Sequence, residues 1–145
     1  MATNPAVGTR TALTVTGLST LAAGTYVASN SYNCNTNKPW DVVVEVNVAT
    51  TNTPVTPKQV LVFLQESLDG TNYRSGPTSG TTTTDEQNLR WIGTIPMNSV
   101  STAQSGTFSV AQVLGYLPFA FKLIIKNETG VALTSGTVFT SEITG

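Results

Sequence analysis

No histidine occurs among the 145 residues. The chain therefore lacks the commonest general base, the commonest zinc ligand and the usual switch near neutral pH. Charge is scarce too. Seven Lys/Arg and eight Asp/Glu make 10% of the chain and leave a net charge of −1, where about 25% charged is ordinary. A nucleic-acid binder working through a basic face is excluded, because phosphate contacts depend on clustered cations. Cys34 is the single cysteine, so no intrachain disulfide can form. In the polar run Asn30–Asn37 it reads as a free surface thiol, with an intermolecular bridge or a reactive thiol as the alternatives. No apolar run approaches the ~18 residues that cross a bilayer, and no basic and apolar leader opens the sequence. The expectation is synthesis in a cytoplasm, with no export signal and no membrane partner.

What is present is β-forming and uncharged. Apolar residues make up 39%, and 26 threonines supply much of the polarity. Disorder, whose signature is high net charge with few β-branched residues, does not fit. Apolar positions recur with period two between clusters of Gly, Pro, Asn and Thr, which favours strands over helices. Strands are expected at Thr11–Thr16, Gly24–Ser29, Trp40–Val48, Val60–Leu64, Leu89–Ile95, Thr107–Gln112, Phe119–Asn127 and Thr137–Ile143. Trp40, Val42, Val44, Val46 and Val48 share one face of the third, and Asp41, Glu45 and Asn47 the other. Val60–Leu64 is apolar on both faces, as in a strand central to a sandwich. In Phe119–Asn127, residues Phe119, Phe121, Leu123 and Ile125 face inward and Lys122 and Lys126 outward. Val110–Tyr116 has room for a turn or two of helix before Gly115 and Pro118 end it.

These segments define an all-β fold: an antiparallel β-sandwich, jelly-roll-like, in one domain over residues 1–145. Its expected core includes Trp40, Val42, Val44, Val62, Leu64, Trp91, Phe121, Leu123 and Ile125. Ala49–Lys58, with Pro54 and Pro57, and Gly76–Gln87, with Thr81–Thr84, read as loops. Two readings of the first residues stand side by side. Residues 1–21 form either an extended arm ordered by a partner or a first strand tucked into the sheet.

Chemistry is thinly signalled. The eight acids are scattered, with Glu45 and Glu142 at outward strand positions and Glu66 and Asp69 flanking a turn, although a carboxylate pair can also assemble in space. Asp85 and Glu86 lack the D-x-D-x-D spacing of a calcium loop and read as a solvated tip. Asn127-Glu128-Thr129 matches a glycosylation acceptor that has no meaning without export. Asp-Gly in Ser67-Leu68-Asp69-Gly70-Thr71-Asn72-Tyr73 supplies a tight turn that places Tyr73 across from the end of the Val60 strand. The alternative, a sugar-binding Asp-box, has an extra residue before its glycine. No catalytic, metal or cofactor residue is assigned, and the chain is read as a non-enzyme without cofactors.

From about Trp40 onward the layout resembles that of small threonine-rich virion proteins of tailed bacteriophages. The resemblance rests on the Ser67–Tyr73 turn, the Leu117-Pro118 step, the strand Phe121-Lys122-Leu123-Ile124-Ile125-Lys126-Asn127 and the Thr129-Gly130 that follows. Leu21-Ala22-Ala23-Gly24-Thr25-Tyr26 is similar more loosely. The family is that of head decoration, or cement, proteins with a jelly-roll fold. The resemblance implies a capsid-exterior location, the major capsid protein as partner, and sister copies in a dimer or trimer. It carries no catalytic residues. On that reading the arm Ala2–Leu21 and the two loops reach neighbouring subunits. Two alternatives stay open: a tail- or neck-associated sandwich, and a carbohydrate-binding module stacking sugars on Trp40, Trp91, Tyr73 or Tyr116.

Overall fold

The computed structural model describes residues 4–145. Ten strands form two antiparallel sheets. They are β1 (Ala6–Val7), β2 (Thr11–Leu13), β3 (Tyr26–Ala28), β4 (Tyr32–Asn33), β5 (Asp41–Ala49), β6 (Gln59–Ser67), β7 (Arg90–Pro96), β8 (Gln104–Ser109), β9 (Ala120–Glu128) and β10 (Ser135–Thr144). Sheet A runs β1/β2–β10–β5–β8, and sheet B runs β3/β4–β9–β6–β7. With β1/β2 and β3/β4 each counted as one broken strand, the pairs β2·β10, β3·β9, β5·β8 and β6·β7 are nested, first with last and inward. The pairs β10·β5 and β9·β6 then wrap this long hairpin into two layers. That wrapping is a jelly roll.

Seven of the eight expected strands are present within a few residues; the strand expected at Thr107–Gln112 instead runs over Gln104–Ser109, because Ser109 caps a helix that takes Val110–Gln112. The helix expected near Val110–Tyr116 is α1 (Val110–Leu114), capped by Ser109 and ended by Gly115 at φ 80°. Between the sheets lie Val42, Val44, Val46 and Val48 from β5, Val60, Val62 and Leu64 from β6, Phe121, Leu123 and Ile125 from β9, and Val138 from β10. Each strand contributes alternate residues, as period two requires.

Two tryptophans depart from expectation. Trp40 precedes β5 at a bend and is 57% exposed, its ring lying against Gly145. The alternation of β5 does not extend back to it. Trp91 is 56% exposed because of a bulge. Between Val62 and Phe63 the register skips Ile92, so Ile92 enters the core and Trp91 faces out. An extra residue inverts the facing of what lies beyond it. Phe119 falls before β9 and is only half-buried, its ring packed over Gly70.

The first residues, from position 4 on, belong to the domain. β1 and β2 pair with β10, Leu18 is buried against Gly136, and Leu21 is buried as well. This corresponds to the tucked-strand reading. Ala2 and Thr3 of the expected arm lie outside the described residues.

Candidate functional site: an uncovered sheet face

The loop after the Ser67–Tyr73 turn is a strap. Residues 76–89 cross the outer face of sheet B, where Gly80 accepts a hydrogen bond from the Tyr26 backbone at 3.0 Å. Leu89 closes over Tyr26, Phe63 and Ile124 to form a second small core. Under the strap, Lys126 Nζ lies 2.6 Å from Glu86 and 3.0 Å from Glu128, and the Tyr26 hydroxyl donates to Glu86. Lys126 does face away from the main core, but the strap leaves it only 8% exposed. Burial alone would lower its ammonium pKa; bonds to Glu86, Glu128 and Tyr26 outweigh that and raise it. Glu86 is therefore tied down rather than solvated at a loop tip, and Asp85 beside it stays exposed. Among the described residues no three His, Cys, Asp or Glu side chains are grouped as a metal site needs.

The clefts use most of their polar groups internally, although Glu66 Oε2 is buried without a hydrogen-bond partner. One, of about 460 Å³, is lined by Glu66, Asp69, Asn72, Tyr73, Arg74 and Tyr116, among others. Arg74 Nε donates to Glu66 at 2.6 Å, and its Nη1 donates to the Asn88 carbonyl at 2.9 Å. Asp69 accepts from the Asn72 and Thr71 backbones, both at 2.8 Å, and these bonds hold its carboxyl well below the usual range. The expected turn is thus present, with Tyr73 bridged to Ser67 and Gly70 at φ 79°. The next full partner of β6, however, is β7 rather than the returning segment.

A second cleft, of about 430 Å³, opens at the rim beside β1. Glu142 lines it and is not an outward strand residue: it accepts from the Tyr32 hydroxyl at 2.7 Å and from Asn37. Cys34 is 3% exposed and belongs to the main core. Burial, then Glu142 and Asp41, push its thiol up to about 12; it is not the surface thiol expected from the sequence. Asn127 is fully buried, donating to Leu21 and Val131 carbonyls, and offers no glycosylation acceptor. The aromatics are not gathered into one platform. Tyr73 and Tyr116 share the first cleft, while Trp40 stands at Gly145 and Trp91 on β7.

The outer face of sheet A is different. Val43, Glu45 and Asn47 from β5 lie beside Phe139, Ser141 and Thr137 from β10 and Thr107 and Ser105 from β8. Val7 of β1 stands 70% exposed above Ile143. The central ions neutralise each other: Arg10 Nη2 lies 2.6 Å from Glu45, and its guanidinium carbon is 3.3 Å from the Phe139 ring centre. A shallow groove of about 290 Å³ runs along this face past Val7, Val43 and Phe139. Sequence alternation placed Glu45 here, but the face as a unit depends on strands far apart in the chain. Comparison with protein-family models gave no match, and no curated protein matches the sequence. No helix among the described residues is long and apolar enough to cross a membrane.

Proposed function

We propose that this protein is a structural component of a phage virion that binds the outside of the capsid and clamps neighbouring major capsid subunits. The observation that carries this reading is the outer face of sheet A. It is broad, built on long paired strands and rich in hydroxyls; among the described residues its charges are Arg10 and Glu45, which pair with each other, and Asp41 at one end, which accepts from the Ser109 hydroxyl and the Ala111 backbone. Such a face can be covered without desolvating unpaired ions, which costs several kcal/mol each. Serine and threonine hydroxyls can exchange water for partner hydrogen bonds across it. On a repeating lattice, many modest contacts add up through high effective concentration.

The contact surface proposed here differs from the loops favoured by sequence. Residues 76–89 are bonded to sheet B, and in Ala49–Lys58 the Val55 backbone donates to Thr129 at 2.8 Å while Pro54 is buried.

Co-sedimentation of the purified chain with capsids lacking it tests the reading. Saturable binding is expected, weakened at least about tenfold by Phe139→Glu, roughly the loss of one good interface contact. No binding, or binding unaffected by Phe139→Glu and Val43→Glu, would overturn it. A glycan-array signal without capsid binding would favour the carbohydrate module. A dozen or fewer copies in a purified virion would place the protein at the tail or neck.

A further inference from the structure

Each sheet ends in one long edge strand, β7 in sheet B and β8 in sheet A, and the two are built differently. β7 carries the usual protections against pairing with another chain: a charge at Arg90, a bulge at Ile92 and a proline at Pro96. β8 carries none of them. Its sequence, Gln104-Ser105-Gly106-Thr107-Phe108-Ser109, has no charge and no proline, and its register with β5 is unbroken over six residues. Among the described residues, no turn, loop or cap backbone hydrogen bond involves Gln104–Phe108, and Ser109 ends the strand as the cap of α1. One side of this strand therefore presents free N–H and C=O groups, with Ser105 and Thr107 exposed.

We propose that β8 is the pairing edge between two copies of this chain, joined antiparallel about a twofold axis at Thr107. The strand is self-complementary in that register. Thr107 faces its own equivalent and Ser105 faces Ser109, all on the outer face, where cross-strand hydroxyl pairs are favourable. On the inner face Phe108 faces Gly106. Each Phe108 ring already leans over its own Gly106, within 2.6 Å of where a Cβ would stand. The same ring lies over Gly93 of β7, 2.0 Å from where a Cβ there would stand, so it stays packed within its own sandwich while the partner presents a glycine opposite it. No like charges come together at the axis: Asp41 is taken up by the Ser109 hydroxyl and the Ala111 backbone at the far end of the strand, and Glu45, opposite Thr107 on β5, is held by Arg10. Its copy is three strand spacings away, about 14 Å. A twofold contact uses the same patch on both partners, so self-complementarity is what it requires. The pairing extends sheet A without a break through both copies and doubles its outer face. It needs no capsid, so its failure and that of the capsid reading are separable.

Sedimentation velocity of the full chain at increasing micromolar concentration is the first test, with a concentration-dependent shift from monomer to dimer expected. Thr107→Lys, which sets two ammonium groups face to face at the axis, should return the dimer to monomer while the β circular-dichroism spectrum is kept. Cysteine substitutions give the register. Thr107→Cys places the new thiol opposite its own copy and should cross-link rapidly under mild oxidation. Ser105→Cys places the two thiols about four residues apart along the strand, roughly 13 Å, beyond disulfide reach. A chain that stays monomeric at every concentration overturns the proposal. So does a dimer in which Ser105→Cys cross-links as fast as Thr107→Cys, or one indifferent to Thr107→Lys.

Discussion

On the outside of sheet B, Tyr26, Phe63 and Ile124 lie beneath the strap of residues 76–89, whereas on the outside of sheet A Val43 and Phe139 line an open groove, with the Arg10 guanidinium over the Phe139 ring. The two faces belong to one sandwich and share one core, so the difference lies in their own residues. β6 and β9 are apolar on both sides, with Leu61, Phe63 and Ile124 opposite Val62, Leu64 and Leu123. A strand of that kind exposes side chains whose burial is worth about 1.5–3 kcal/mol each, and the chain supplies its own cover. β5 alternates Val with Glu45 and Asn47, and its outer face tolerates water. The lesson is that a covered face stabilises the molecule, while an uncovered one is free to meet another.

The comparison breaks most plainly by truncation. Ile124→Ala, under the strap, should cost about 2–5 kcal/mol, and Phe139→Ala on the open face less than about 1 kcal/mol. Urea midpoints at constant slope measure both. Equal costs would mean that the open face is also part of the stabilising core.

A smaller effect separates packing from backbone strain within the strap. A Cβ at Gly76 would stand 2.4 Å from Leu89 Cδ2, whereas one at Gly80 meets nothing within 4 Å. Both glycines have positive φ. Gly80→Ala should cost the left-handed conformation alone, about 1 kcal/mol. Gly76→Ala should cost about 1–3 kcal/mol more, through overpacking. If thermal denaturation ranks them the other way, Leu89 does not pin the strap.

The smallest effect is on pH. Burial pushes the Glu128 carboxyl up, but bonds from Gln59 and Lys126 outweigh it and leave its pKa lowered from 4.5. Its contribution is therefore present above 4.5 and is lost as pH falls through the lower folded value. Lys126 works at the opposite end: its pKa is raised, so its contribution is full below 10.5 and is lost as pH rises through the folded value. Stability should be flat between these limits as far as this pair is concerned. Glu128→Gln should remove about 1 kcal/mol or less of the acid-side loss, measured as Tm against pH. An unchanged acid limb would show that the pair under the strap contributes nothing.

Much of the architecture was legible from local pattern. Most strands long enough to show alternation could be read, and so could the helix stopped by Gly115 and the turn at Asp69-Gly70; β8 was set three residues late because Val110 and Gln112 continue its alternation into the helix. The two-residue strands β1 and β4 were not, because two residues carry no period. Trp40 and Trp91 were misplaced for a related reason: alternation says nothing about where a strand bends or takes in an extra residue such as Ile92. The strap was invisible as a cover because Thr81–Thr84 reads as solvated loop, while its anchors Leu89 and Glu86 depend on partners near Ile124 and Lys126. The candidate face was legible only in part. Glu45 and Asn47 mark it on β5, but Arg10 and Phe139 reach Glu45 from opposite ends of the chain.

The nested pairing also sets an order of assembly during synthesis. Leu13 waits for Val138, and Val27 for Ile125, while β6 and β7 are neighbours in sequence. At about 5–20 residues per second, translation holds the early strands without partners for seconds. The β6·β7 hairpin can close first, and sheet A is completed only when β10 emerges, to be gripped on one side by β5 and on the other by β1 and β2. Until then Val42, Val44, Val46 and Val48, fully buried in the finished molecule, are held on one side by β8 alone. A topology of distant contacts folds slowly, and in this chain the delay falls on the strand at the centre of sheet A.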